Sequence, residues 1–178
     1  AALVLACVAL ASLGCGDDGG SNDEEPGSTD SETEEEIDTE ALRVEAEVEG
    51  ILSGMTLEQK AAQMVQAQFE DAPASLVKAQ CFGSVFNGGE EPITPNTPEN
   101  WKIALEELQM AAMDGCGIPI LYGIDAVHGN AKVSGATVFP HGIGLGATRD
   151  TDLVERVGQA TARECRALGI HMTFAPCV

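Results

Sequence analysis

The sequence predicts an α/β fold built on a parallel sheet, and three observations predict it. Short apolar runs occur at 81–86, 119–124 and 172–178, and each is apolar on both faces. Helix signals separate the runs, and turn-forming Asn, Gly or Pro residues bound the first two. Strands of this kind are buried between layers, which is the habit of parallel sheets with helical crossovers. Three such strands make either a sector of a barrel or a fragment of an open sheet. With 178 residues the chain can bury one real core. It falls short of the roughly 250 residues of a complete (β/α)8 barrel.

The elements follow in order. Residues 40–54 read as a helix with Leu42, Val48, Ile51 and Leu52 on a loosely apolar face, stopped by Gly54. Thr56-Leu57-Glu58-Gln59 is a capping-box pattern that opens a second helix, with Leu57, Ala61, Met64 and Val65 at helical spacing. CFGSVF at 81–86 is the first strand, ended by Asn87-Gly88-Gly89. The polar, Pro-rich stretch that follows is loop. Thr97 caps a third helix with Pro98 in its first turn, and Trp101, Leu105, Leu108 and Ala112 line its inner face. PILYGI is the second strand, followed by DAVHG and a Gly-rich loop over 129–147. Asp150 or Thr151 caps a fourth helix, with Leu153, Val154, Val157, Ala160 and Leu168 facing inward and Gly169 as the stop. MTFAPCV at 172–178 is the third strand. Because the sequence ends inside this run, the reading expects a truncated chain whose sheet continues beyond Val178.

The N-terminal part has a different character. Residues 1–14 are apolar and uncharged, too short for an ordinary membrane span and fitted to the core of a secretory signal peptide. Without an initiator Met or a basic flank, the start of the reading frame is expected further upstream. Ser12-Leu13-Gly14-Cys15 resembles a bacterial lipobox, with Ser12 where Leu is usual. Cys15 is thus the candidate lipidation site; the alternative is a plain secretory peptide with an incidental Cys. The expected location is outside the cytoplasm, either secreted or held at the cell envelope by a lipid anchor. Residues 16–39 are rich in Gly, Ser, Asp and Glu and are expected to be a disordered acidic linker. Residues 40–178 then form the folded part.

Charge excludes one class of partner. The net charge is −20, and 15 of the 29 acidic residues lie between Asp17 and Glu49. Neither part offers the basic surface that phosphate binding needs, so nucleic acid is not an expected partner. Metal is not expected either: His128, His141 and His171 lack the spacing of a zinc site. GIGLGATRD has a glycine pattern but no phosphate-binding Lys, and reads as a tight turn. No cofactor is implied. Cys81, Cys116, Cys165 and Cys177 could pair in an oxidising compartment, but barrel elements bury free thiols readily, and no essential disulfide is expected.

In parallel α/β folds ligands bind at the carboxyl ends of the strands. Asn87-Gly88-Gly89 and Asp125-Ala126-Val127-His128-Gly129 occupy those places. Asp125 directly follows its strand, so its carboxylate could accept two charge-assisted hydrogen bonds from vicinal hydroxyls. The competing reading is a turn cap bonded to its own loop. His128 and His141 read as structural support for the same loop.

The blocks GIDAVHG, ATVFPHGIGLGATRD and FAPCV, in series, resemble glycoside hydrolase family 3, best its β-glucosidase and exo-β-glucanase branch. MTLEQKAAQMVQ, CFGSVFNGG and Trp101 fit the same family, so the resemblance covers roughly residues 50–178. It implies a partial (β/α)8 TIM barrel, the first three βα units, of a two-domain enzyme. It implies retaining hydrolysis of terminal β-linked glucose in oligosaccharides or β-glucosides. Retention uses two carboxyl groups about 5–5.5 Å apart. The family's nucleophile, its acid/base, its further sugar-binding Arg and its Lys-His pair all fall beyond Val178. Only Asp125 maps onto a sugar-contact position, and the chain alone is expected to be inactive. The alternatives are a non-catalytic sugar-binding surface lipoprotein and an unrelated solute-binding lipoprotein.

Overall fold

The computed structural model describes residues 30–88 and 93–177, with side chains from residue 39 onward. The expected signal segment, Cys15 and Gly89 lie outside the described residues. The chain divides into two compact units at Met55/Thr56, ahead of the four-stranded sheet.

The first unit contributes one long helix, α1 (Asp30–Gly54). It starts ten residues before position 40, within the stretch read as acidic linker. Leu42, Ile51 and Leu52 are exposed on it. Glu40 and Arg43 pair one turn apart at 2.5 Å. No helix among the described residues is long and apolar enough to cross a membrane.

The second unit alternates helices and strands. Helix α2 (Leu57–Gln63) begins with a complete capping box, in which Thr56 and Gln59 each satisfy the other's backbone N–H. The apolar face expected for it does not form: Leu57 and Met64 are 78% and 88% exposed, and none of its residues is buried. Strand β1 (Gln66–Gln68) and a single 3-10 turn (Phe69–Asp71) lead to α3 (Ala74–Gln80), then β2 (Ser84–Asn87). Helix α4 (Pro98–Gly115) precedes β3 (Leu121–Ile124). Helices α5 (Gly142–Ala147) and α6 (Thr151–Ala167) precede β4 (Met172–Thr173).

Among the described residues four strands therefore stand where three were expected. The extra one, β1, is Gln-Ala-Gln, with no apolar run to betray it; it exists because its backbone pairs with β2. The turn read in GIGLGATRD is also corrected: its first residues form α5. Asp150 is the cap of α6, its carboxylate accepting from Leu153 N–H at 2.9 Å.

All three strand pairs are parallel and the sheet order is β1-β2-β3-β4. Each strand is added on the same side as the last. An open doubly wound sheet reverses direction at a switch point; this one does not, so the sheet is a barrel sector. Alternation along the strands sends Val85, Asn87, Tyr122 and Ile124 to the helical side, where all are buried. Trp101, Leu105, Leu108 and Ala112 of α4 meet them, as the helical spacing predicts.

Two side chains extend the backbone bonding. Gln109 on α4 accepts from Ile120 N–H at 3.1 Å and donates to Ile120 C=O at 2.5 Å, as a neighbouring strand would. His171 Nδ1 accepts from Tyr122 N–H at 3.1 Å, while His171 N–H donates to Tyr122 C=O at 3.0 Å.

Two of the four cysteines of the folded part pair. Cys81 and Cys116 form a disulfide with Cα atoms 5.7 Å apart. Cys81 follows α3 and Cys116 follows α4, each just before a strand, and those strands are neighbours. Gly115 lets the helix ends close up: a Cβ there would collide with Lys78 C=O. A Lys78–Asp114 ion pair spans the same gap.

Candidate functional site

Asp125 leaves the carboxyl end of β3 half-buried, beside Gly88 at the end of β2. A Cβ on Gly88 would stand 2.8 Å from Asp125 Oδ2 and 3.3 Å from the Phe86 ring. The carboxylate and the Phe86 ring therefore both border Gly88 at the carboxyl end of β2. Phe86 packs edge-to-face with Phe174, ring centroids 5.9 Å apart. Trp101 and Tyr122 are buried on the opposite, helical side. Sequence reasoning misses Phe86 and Phe174, which it treats only as strand residues. The signal is their odd-even offset from Val85 and from the paired Thr173, which puts them on the other face.

The loop after Asp125 does not use its carboxylate as a cap. Ala126 N–H donates instead to Thr173 Oγ1 on β4, at 3.1 Å. Among the described residues, no N–H bonds to the Asp125 carboxylate. The loop then doubles back on itself. Gly129 bridges to Val127 and Val138, and Phe139 N–H donates to His128 C=O at 2.7 Å. Gly129 has φ +91, and Thr137 C=O occupies the place a Cβ would need, so only glycine fits there.

His128 supports this loop through its backbone. Its ring Nδ1 is buried without a hydrogen-bond partner. The ring instead packs at a tilt against His141, centroids 4.1 Å apart, and His141 is the residue just before α5. Below the mouth, burial pushes the Tyr122 phenol up, and the neighbouring Asn87 amide offsets this only in part. Tyr122 OH and Asn87 Nδ2 complete no hydrogen bond of good geometry. Burial, with Glu164 nearby, raises the Cys165 thiol to about 11, so it is no nucleophile at neutral pH. Among the described residues no three His, Cys, Asp or Glu side chains are grouped to hold a metal.

A barrel sector with a carboxylate at its mouth fits many chemistries, so the match to known proteins decides the family. Residues 56–178 match the glycosyl hydrolase family 3 N-terminal domain. The chain belongs to glycoside hydrolase family 3. An exo-1,3/1,4-beta-glucanase from a Pseudoalteromonas species superposes with a TM-score of 0.72 and 46% identity, over 76% of this chain and 18% of that one. The lysosomal beta glucosidase of Dictyostelium discoideum is 30% identical over 72% of this chain and 18% of its own length. The periplasmic beta-glucosidase of Salmonella typhimurium is 29% identical over 75% of this chain and 16% of its own. The chain thus spans less than a fifth of these relatives. Family membership makes it part of a glycosidase family whose substrates are glycosides, and the family match begins at Thr56, the first residue of the second unit.

Proposed function

We propose that this chain supplies the sugar-holding front of the barrel in an exo-acting, retaining β-glucosidase-like hydrolase. The observation that carries the proposal is the Asp125 carboxylate, which stands at the carboxyl end of β3 beside Gly88 with no hydrogen-bond partner among the described residues. A carboxylate with both oxygens available can take two hydroxyls of a terminal glucose, each by a charge-assisted bond. Phe86 and Phe174 offer the sugar's C–H face an apolar wall and exclude water, which strengthens those bonds. The nucleophile and acid/base are proposed to come from outside these 178 residues, so Asp125 binds and orients but does not react. His128 and His141 are proposed to support the site loop. The substrate is proposed to be an oligosaccharide or β-glucoside with an unblocked non-reducing end.

Two features support export. The Cys81–Cys116 disulfide suits an oxidising compartment, and one relative is named as periplasmic. We propose Cys15 as the lipid-anchoring residue; mass spectrometry of membrane-extracted protein should find it diacylated and N-terminal, and any other mature N-terminus removes the anchor.

The decisive test is Asp125→Asn in the complete gene product, assayed on an aryl β-glucoside. Losing two charge-assisted contacts should cost about 3 kcal/mol of transition-state binding, roughly a hundredfold in kcat/KM. Near-normal kinetics would make Asp125 a structural residue. The 178-residue chain alone should show no turnover.

A further inference from the structure

We infer that Asn96 and Glu164, which no sequence motif singles out, are positioning residues that hold the Asp125 loop in its binding geometry. The inference rests on the reading of Asp125 as a sugar-holding group. Residues 125–139 include Gly129 and Gly135, both at positive φ, and bury few apolar side chains, chiefly Ala126 and Val133. Such a segment does not fix its own shape; its hydrogen bonds to neighbouring elements must do so.

Three outside side chains supply those bonds: Asn96, Glu164 and Thr173. Asn96, just before α4, donates from Nδ2 to Lys132 C=O at 3.0 Å. Its Oδ1 accepts from Ser134 N–H at 3.2 Å and from Trp101 Nε1–H at 2.9 Å. Trp101 is fully buried in α4, so the amide is anchored to the core on one side and grips the loop on the other. Glu164 on α6 takes the far end of the loop. Its two oxygens accept from Thr137 N–H at 2.9 Å and Thr137 Oγ–H at 2.7 Å.

The second grip is transmitted directly. Thr137 C=O lies against Gly129, and Phe139 N–H bonds to His128 C=O. Moving Thr137 therefore moves residues 128 and 129, a few residues from Asp125. The loop's near end is tied by Ala126 to Thr173 on β4. The three tethers come from the segment before α4, from α6 and from β4, so the carboxylate is preorganised from three separate parts of the fold.

The test is a double-mutant cycle in the complete gene product, measured with an aryl β-glucoside. Glu164→Ala and Asn96→Asp are each made alone and together with Asp125→Asn. Asn96→Asp keeps the acceptor for Trp101 and Ser134 and loses only the donation to Lys132. Each single variant should lower kcat/KM by about 10- to 100-fold, the scale expected when a contact group shifts by an ångström or less. Amide hydrogen exchange at Ser134, Thr137 and Phe139 should quicken in the matching variants. In the Asp125→Asn background the same substitutions should change kcat/KM less than twofold, because their effect runs through Asp125. Glu164→Gln, which keeps an acceptor for Thr137, should recover most of the loss. Equal losses in both backgrounds, or none in either, would overturn the positioning role while leaving Asp125 in place. A silent Asp125→Asn would instead bring down the reading of the site, and the inference with it.

Discussion

Breaking the Cys81–Cys116 disulfide should destabilise the protein by about 4 kcal/mol. The bond closes a loop with a sequence separation of 35. In the chain-entropy model a loop of that length removes about 13 cal/mol/K from the unfolded state, or roughly 3.8 kcal/mol at 25 °C. Cys81 adds a second term, because it sits at φ 59, a left-handed conformation that costs a non-glycine residue about 1 kcal/mol. Two variants separate the terms. Cys81→Ser/Cys116→Ser loses the crosslink and keeps the strained residue; Cys81→Gly/Cys116→Ala loses the crosslink and relieves it. Urea unfolding can be followed by fluorescence of Trp101, the single tryptophan, which is buried at the helix–sheet interface. The serine variant should lose about 4 kcal/mol and the glycine variant about 3. Wild-type protein kept under a reducing agent should follow the serine variant. Unfolding of both variants at the wild-type urea concentration would refute the crosslink argument. Indistinguishable variants would refute the backbone argument alone.

Gly88→Ala should push the Asp125 carboxylate aside, since the new Cβ would meet Oδ2 at 2.8 Å. Loss of one charge-assisted bond predicts a fall of roughly tenfold or more in kcat/KM with little change in thermal midpoint; an unaltered KM and kcat would place the sugar elsewhere. Stability should also depend on His171. Burial, and then the Arg166 charge, lowers its pKa in the fold from 6.5, and Nδ1 must stay unprotonated to accept from Tyr122. The unfolded chain therefore binds the extra proton first. This contribution is intact above pH 6.5 and is lost as pH falls from there through the lowered folded value. His171→Asn, which retains an acceptor without titrating, should flatten that part of the pH–stability curve; an unchanged slope would assign it to other groups.

Local signals made much of the framework legible. Thr56, Thr97 and Asp150 cap helices as their sequence context predicts, because capping is settled within four residues. The inner face of α4 was equally plain, since Trp101, Leu105, Leu108 and Ala112 repeat at the helical period. Asp125 stood out because it follows a strand at once, and the family motifs around it added specificity. Strand β1 was invisible: Gln66 and Gln68 carry no hydrophobic signal, and only the neighbouring backbone makes them a strand. The apolar residues of α2 and α1 misled for the complementary reason. A hydrophobic stripe states what can be buried, while burial needs a partner surface in the right place.

The sequence by itself thus determined the broad alternation of helices and strands, the caps of α2, α4 and α6, the parallel class and the family. Those rest on interactions between residues close in the chain and on motifs that survive as short blocks. Only the tertiary structure decided that Cys81 meets Cys116, that Gly88 faces Asp125, and that Asn96 before α4 and Glu164 on α6 grip one loop. Each of those pairs is separated by 27 to 38 residues. No local preference encodes such a meeting; it follows from the sheet order, which lays successive βα units side by side and brings their ends to a common rim.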